Sequence, residues 1–131
     1  MPFDLEDLRT NLTAEVDGTW IPIKDDCRLL IARWNNTKFK QAFENAKATL
    51  RATGTSVAGD EDSEDVNDSI IKACVAEHIL KGFEGLTQDG VMLQYSKAEA
   101  LRIFKEIPDF YKLIIALSQK VENFRVKRLK N

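Results

Sequence analysis

The chain has 131 residues, of which 44% are hydrophobic and 31% charged, and its formal net charge is −2. This length suits a single domain able to bury about two-thirds of its unfolded surface, and the charge argues against a surface built wholly for nucleic acid. No apolar run approaches the roughly 18 residues of a membrane span, and the acidic start around Asp4, Glu6 and Asp7 lacks a secretory apolar core.

In chain order, Asp4 is placed to cap a short helix carrying Leu5, Leu8 and Leu12 on one face. Such a helix is marginal alone and needs something to dock on. After the turn pair Asp17-Gly18 come two runs rich in β-branched and aromatic residues, 19–23 and 27–34, with only Lys24-Asp25-Asp26 between them. They predict a β-hairpin. Pro22 cannot donate to a ladder, so its strand is expected at an edge. In the second strand Leu29, Ile31 and Arg33 share one face, and Leu30, Ala32 and Trp34 share the other.

Asn35-Asn36 is placed to cap the next helix, whose apolar face is Phe39, Phe43, Ala46 and Leu50 and which Gly54 ends. Residues 55–65 predict an exposed loop, because Asp60, Glu61, Asp62, Glu64 and Asp65 repel one another. That acidic loop divides a hairpin-helix half (1–54) from a helical half (66–131) within one domain. Val66, Ile70, Ala73, Ile79, Leu80 and Phe83 give the third segment a wide apolar arc, as for a central helix.

The stretch 82–99 predicts a joint between helices. Gly82 and Gly85 are able to take the positive φ angles that end a helix, Asp89-Gly90 is a turn pair, and Ser96 and Glu99 have capping-box spacing. Leu101, Phe104 and Ile107 then mark a fourth helix that Pro108 breaks. Phe110, Leu113, Ile114, Leu117, Val121 and Phe124 mark a fifth, which leads into a basic tail. The expected class is α+β, mostly α-helical, with an N-terminal β-hairpin followed by a small bundle of amphipathic helices.

Catalytic patterns are sparse. Cys74 and His78 lie at i, i+4, a spacing compatible with two zinc ligands or a nucleophile dyad. Cys27 would be a third zinc ligand, no fourth suggests itself, and a buried thiol beside a helix histidine is the simpler account. Both cysteines are expected as reduced thiols of a cytoplasmic protein. The acidic loop fails the EF-hand pattern, since Asp65 and Ile71 stand where Gly and Glu are required counting from Asp60. Gly82 to Gly85 has the spacing of a KH clamp, but Glu84 would repel phosphates. The basic tail, with Lys120, Arg125, Lys127, Arg128 and Lys130, suits phosphates or an acidic protein surface, or simply the negative end of a helix. The expectation is a protein that is not an enzyme and has no metal or cofactor.

Three patches resemble the tail assembly chaperones of long-tailed bacteriophages. The first runs from Trp20 through Ile31-Ala32-Arg33-Trp34-Asn35 to Phe39, the second from Gly82 through Gly90 to Tyr95-Ser96, and the third from Ile107-Pro108-Asp109-Phe110 to Glu122-Asn123-Phe124-Arg125. The family more often has Trp where this chain has Phe83. The resemblance implies a chaperone that binds the helical tape-measure protein, helps recruit tail-tube subunits and self-associates. It also implies action in the cytoplasm of the infected bacterium and absence from the mature virion. Partner contacts are then expected among Phe83, Tyr95, Phe110, Arg125, Lys127 and Arg128, with neither membrane nor nucleic acid as partner. A structural tail or head–tail connector protein and a small nucleic-acid-binding regulator are the alternatives.

Overall fold

The computed structural model describes residues 2–53 and 60–125. The predicted hairpin forms from β1 (Thr19–Lys24) and β2 (Cys27–Ile31), which pair antiparallel with Ile21 opposite Leu29. Asp25 takes the tight turn with a φ of +51°, and a bulge interrupts the register between Pro22 and Lys24. β1 is an edge strand, as Pro22 led one to expect.

The other edge of β2 is filled by β3 (Leu80–Glu84), with Leu29 opposite Phe83 and Leu30 opposite Gly82. This corrects the expectation of one helix running past Phe83. The third segment is α3 (Asp60–His78), and the chain becomes extended two residues later. Gly82 disfavours a helix by about 1 kcal/mol relative to Ala, while β2 offers an open row of backbone donors and acceptors. Ile79, Leu80 and Phe83 are buried by the extended course.

The acidic-loop expectation is corrected in part. Residues 60–65 belong to α3, and 55–59 lie outside the described residues. α2 (Thr37–Thr53) packs against α3 and opens on Asn36, whose Oδ1 accepts from the Phe39 amide at 2.9 Å. The Asn36 amide in turn donates to the Arg33 carbonyl, so the side chain holds both sides of the strand-to-helix corner.

The N-terminal helix is split. A 3-10 turn covers Leu5–Leu8, and α1 (Leu12–Asp17) begins separately under an Asn11 cap. Phe3, Leu5, Leu8 and Leu12 stay exposed. Their backbone is nonetheless held: the Asn11 amide donates to the Phe124 carbonyl, Thr10 forms a β-bridge with Arg125, and the Arg125 side chain donates to the Asp7 carbonyl.

α4 (Lys97–Glu106) and α5 (Pro108–Gln119) form as expected, with Pro108 in the first turn of α5. α5 ends earlier than the apolar stripe suggested, and Val121–Phe124 is a 3-10 turn that buries Phe124. The core joins both halves of the chain: Leu29, Ile31 and Phe39 meet Val75, Ile79, Phe83, Phe104 and Ile114. Among the described residues no helix is long and apolar enough to cross a membrane.

Candidate functional site

The stretch read as a joint is a small hairpin. β4 (Thr87–Gln88) pairs with β5 (Val91–Met92), and Asp89 and Gly90 turn with φ of +52° and +80°. Two successive positive φ angles are what a type I′ two-residue hairpin requires, and Asp-Gly supplies them at low cost. The Leu93 amide closes the base on the Leu86 carbonyl at 2.8 Å. Val91 and Met92 are left 63% and 61% exposed.

The hairpin stands beside the corner between α4 and α5. Leu86, Leu93, Ile103, Ile107 and Phe110 line an apolar pocket of about 100 Å³ there, with Thr87 and Gln88 at its rim. This is room for about one aliphatic side chain, since a 150 Å³ apolar cavity holds a benzene. On the other side of β4 a wider cleft of about 400 Å³ runs past Asp25, Asp26, Cys27, Gly85 and Met92. Leu86 and Thr87 line both depressions.

A charged lattice stiffens the pocket rim. Arg102 donates from Nε and Nη2 to Glu99 and from Nη1 to Glu106, at 2.7–2.8 Å. Its Nη2 also reaches the Gln88 side-chain oxygen at 3.0 Å. Hydrogen bonds from the guanidinium hold both carboxyls below the usual range, and the carboxylates push the guanidinium pKa up. The hairpin is thereby latched to α4 through Gln88.

The sequence candidates separate. Phe83 is 6% exposed and meets the Tyr95 ring edge-on at 5.5 Å, so it is a core residue rather than surface. Tyr95 is half-buried, with its hydroxyl against the carbonyls of Ala76 and Leu80. Phe110 is the one of the three aromatics that walls the pocket. Arg125 is half-buried in the contact between the terminal segments, and Lys127 and Arg128 lie outside the described residues.

Cys74 is buried, and burial raises its thiol pKa, which favours the unreactive protonated form. His78 Nδ1 is buried without a hydrogen-bond partner, and burial lowers the imidazole pKa. No group of three or more His, Cys, Asp or Glu is placed to hold a metal among the described residues.

Sequence reasoning missed Leu86, Leu93, Val91 and Met92. The signal was present: Asp-Gly between two short runs marks a hairpin, and hairpins set apolar residues out on both arms. No curated protein and no solved structure matches the chain. The model of the YdaY prophage protein family matches residues 34–131, about three-quarters of the sequence. That span holds β3, the hairpin, the pocket and both helices that wall it, and the chain belongs to the YdaY prophage protein family.

Proposed function

We propose that this chain is a non-enzymatic tail assembly chaperone that binds the tape-measure protein of its phage and assists tail-tube assembly. The observation that carries this reading is the apolar pocket between the β4–β5 hairpin and the α4–α5 corner, lined by the exposed Ile107, with Val91 and Met92 exposed on β5 of the same hairpin. A pocket of this size takes one bulky side chain from the apolar stripe of an amphipathic helix laid across it. The prophage family and the three ordered patches around Trp20, Gly82 and Ile107 support the same reading. Met92 adds a flexible, polarisable contact suited to a client whose stripe varies along its length. Self-association would give several such pockets a multivalent grip on one long client, within the cytoplasm of the bacterium and outside the finished particle.

The test is co-expression with the tape-measure protein of the same genome. Solubilised client and a recovered complex are expected. An equally insoluble client with no complex overturns the reading. Stoichiometric copies in purified virions would favour the structural tail or connector protein instead.

A further inference from the structure

We infer that the β4–β5 hairpin is a strap, clamped at both ends and held shut over the α4–α5 corner by the Arg102–Gln88 contact, which lifts as a unit while the rest of the fold stays closed. The strap borders the pocket on which the chaperone reading rests, but its opening is measured with no client present, so either stands if the other fails.

The two clamps come from different elements. Before the hairpin, Gly85 packs so closely on the β1–β2 turn that a Cβ there would lie 2.9 Å from the Asp26 carbonyl carbon and 3.1 Å from Cys27 Cα. After it, Tyr95 is tied to the carbonyls of Ala76 and Leu80, and Ser96 caps α4. The residues between, 86–94, are held less firmly, and none of them is buried. Their sheet is separate from that of β1, β2 and β3. Among the described residues, no backbone hydrogen bond runs from 86–94 to another element. Gln88 is the one side chain of the stretch that hydrogen-bonds to the body there, accepting from Arg102 Nη2 at 3.0 Å and donating to Glu106 at 3.5 Å. Leu86 and Leu93 pack toward the core, yet they share with Ile103, Ile107 and Phe110 a pocket of about 100 Å³ rather than a filled contact. A gap forfeits dispersion contacts that the hairpin would otherwise make, so the latch carries a large share of its seating.

The latch is set from the helix side. Glu99 and Glu106 both bond the Arg102 guanidinium, and its planar fork then leaves Nη2 aimed at Gln88. An isolated two-stranded hairpin is marginal in water. Release of Gln88 therefore loosens the hairpin's own bonds too, including that from the Leu93 amide to the Leu86 carbonyl. It also uncovers Ile103, which is 3% exposed with the strap down, and so lengthens the apolar strip that Ile107 and Phe110 begin.

The experiment is amide hydrogen exchange on the full chain, read by NMR. In the wild type the Leu93 amide should exchange well before the amides of β2 and α5, which await larger openings. Gln88→Ala cuts the latch while leaving the pairs of Arg102 with Glu99 and Glu106 in place. It should speed exchange at Leu93 by about five- to ten-fold and leave β2 and α5 unchanged. Arg102→Lys cuts the latch from the other side, since a compact ammonium lacks the fork that spans all three partners, and should also quicken Leu93. Gln94→Ala, an exposed neighbour outside the latch, should leave Leu93 as it is. The cysteines give a second readout, alkylation by N-ethylmaleimide followed by mass spectrometry. Cys27 lies in the cleft that Leu86, Thr87 and Met92 also line, whereas Cys74 is buried in the core. Gln88→Ala should speed alkylation of Cys27 and not of Cys74. Wild-type exchange at Leu93 as slow as in β2 and α5 overturns the inference. So does a latch variant that leaves Leu93 unchanged, an equal quickening in Gln94→Ala, or a rise at both cysteines or at neither.

Discussion

The Tyr95 hydroxyl lies 2.6 Å from the Leu80 carbonyl and 3.0 Å from that of Ala76, fastening the segment after the hairpin to the point where α3 gives way to β3. The phenol is half-buried, and desolvation raises its pKa, so it remains a donor at neutral pH. Tyr95→Phe keeps the ring contact with Phe83 and removes only the hydroxyl. It should cost about 1 kcal/mol and lower the thermal midpoint by about 2–8 °C. An unchanged midpoint in calorimetry would show that the fastening adds nothing.

The three glycines of this region differ in what surrounds them. Gly85 has a φ of +76°, and a Cβ there would lie 2.9 Å from the Asp26 carbonyl carbon. Gly90 has a φ of +80° with open space around it, whereas Gly82 has neither a positive φ nor a neighbour closer than 3.6 Å. Gly90→Ala should therefore cost about 1 kcal/mol from backbone strain. Gly85→Ala should cost more, because Asp26 must also move, and Gly82→Ala should be the mildest. Urea midpoints for the three variants check the order.

Ser96 Oγ accepts from the Glu99 amide at 3.0 Å, an N-terminal cap for α4. Glu99 spends its carboxylate on Arg102, so the cap works from the Ser96 side. Ser96→Ala should lower stability by about 1 kcal/mol. Ser96→Asp should recover most of that loss, because a carboxylate also accepts from the helix amides. Thermal melts of the pair distinguish a cap from a packing effect.

His78 sets a pH dependence. Its folded pKa lies below the ordinary 6.5 of a free imidazole, chiefly because burial disfavours the charged ring, with Lys81, Lys97 and Lys38 acting in the same sense and Glu77 opposing them. Above about pH 6.5 the ring is neutral in both states and costs nothing. As pH falls through 6.5 the unfolded chain takes the proton first, so stability declines until the folded pKa is passed. The urea midpoint should drop between pH 7.5 and 5.5. His78→Gln should flatten that slope, and an equal slope in the variant would assign it elsewhere.

The hairpin, the Asn36 and Ser96 caps and the α4–α5 break at Pro108 were legible because each rests on a local rule about caps, turns or proline. β3 was not. Ile79, Leu80 and Phe83 fit a helical arc as well as a strand, and only the open edge of β2, some fifty residues earlier in the chain, decides between them. The site was half legible for the same reason. Phe110 stood out as an aromatic at a helix start, but its partners Leu86 and Leu93 come together only once Asp89 and Gly90 have turned the chain back. Phe83 attracted attention as an aromatic, and the strand register then placed it opposite Leu29 in the core.

The bridge between Thr10 and Arg125 sets a timetable for synthesis. Residues 7–11 emerge from the ribosome early, yet the Phe124 carbonyl and the Arg125 side chain that hold them are made more than a hundred residues later. Until then the exposed leucines around Leu5 and Leu8 sit on a strand of backbone with no anchor. The N-terminal segment therefore docks only after the chain has been made as far as Arg125, and its closure is the longest-range contact the fold must find.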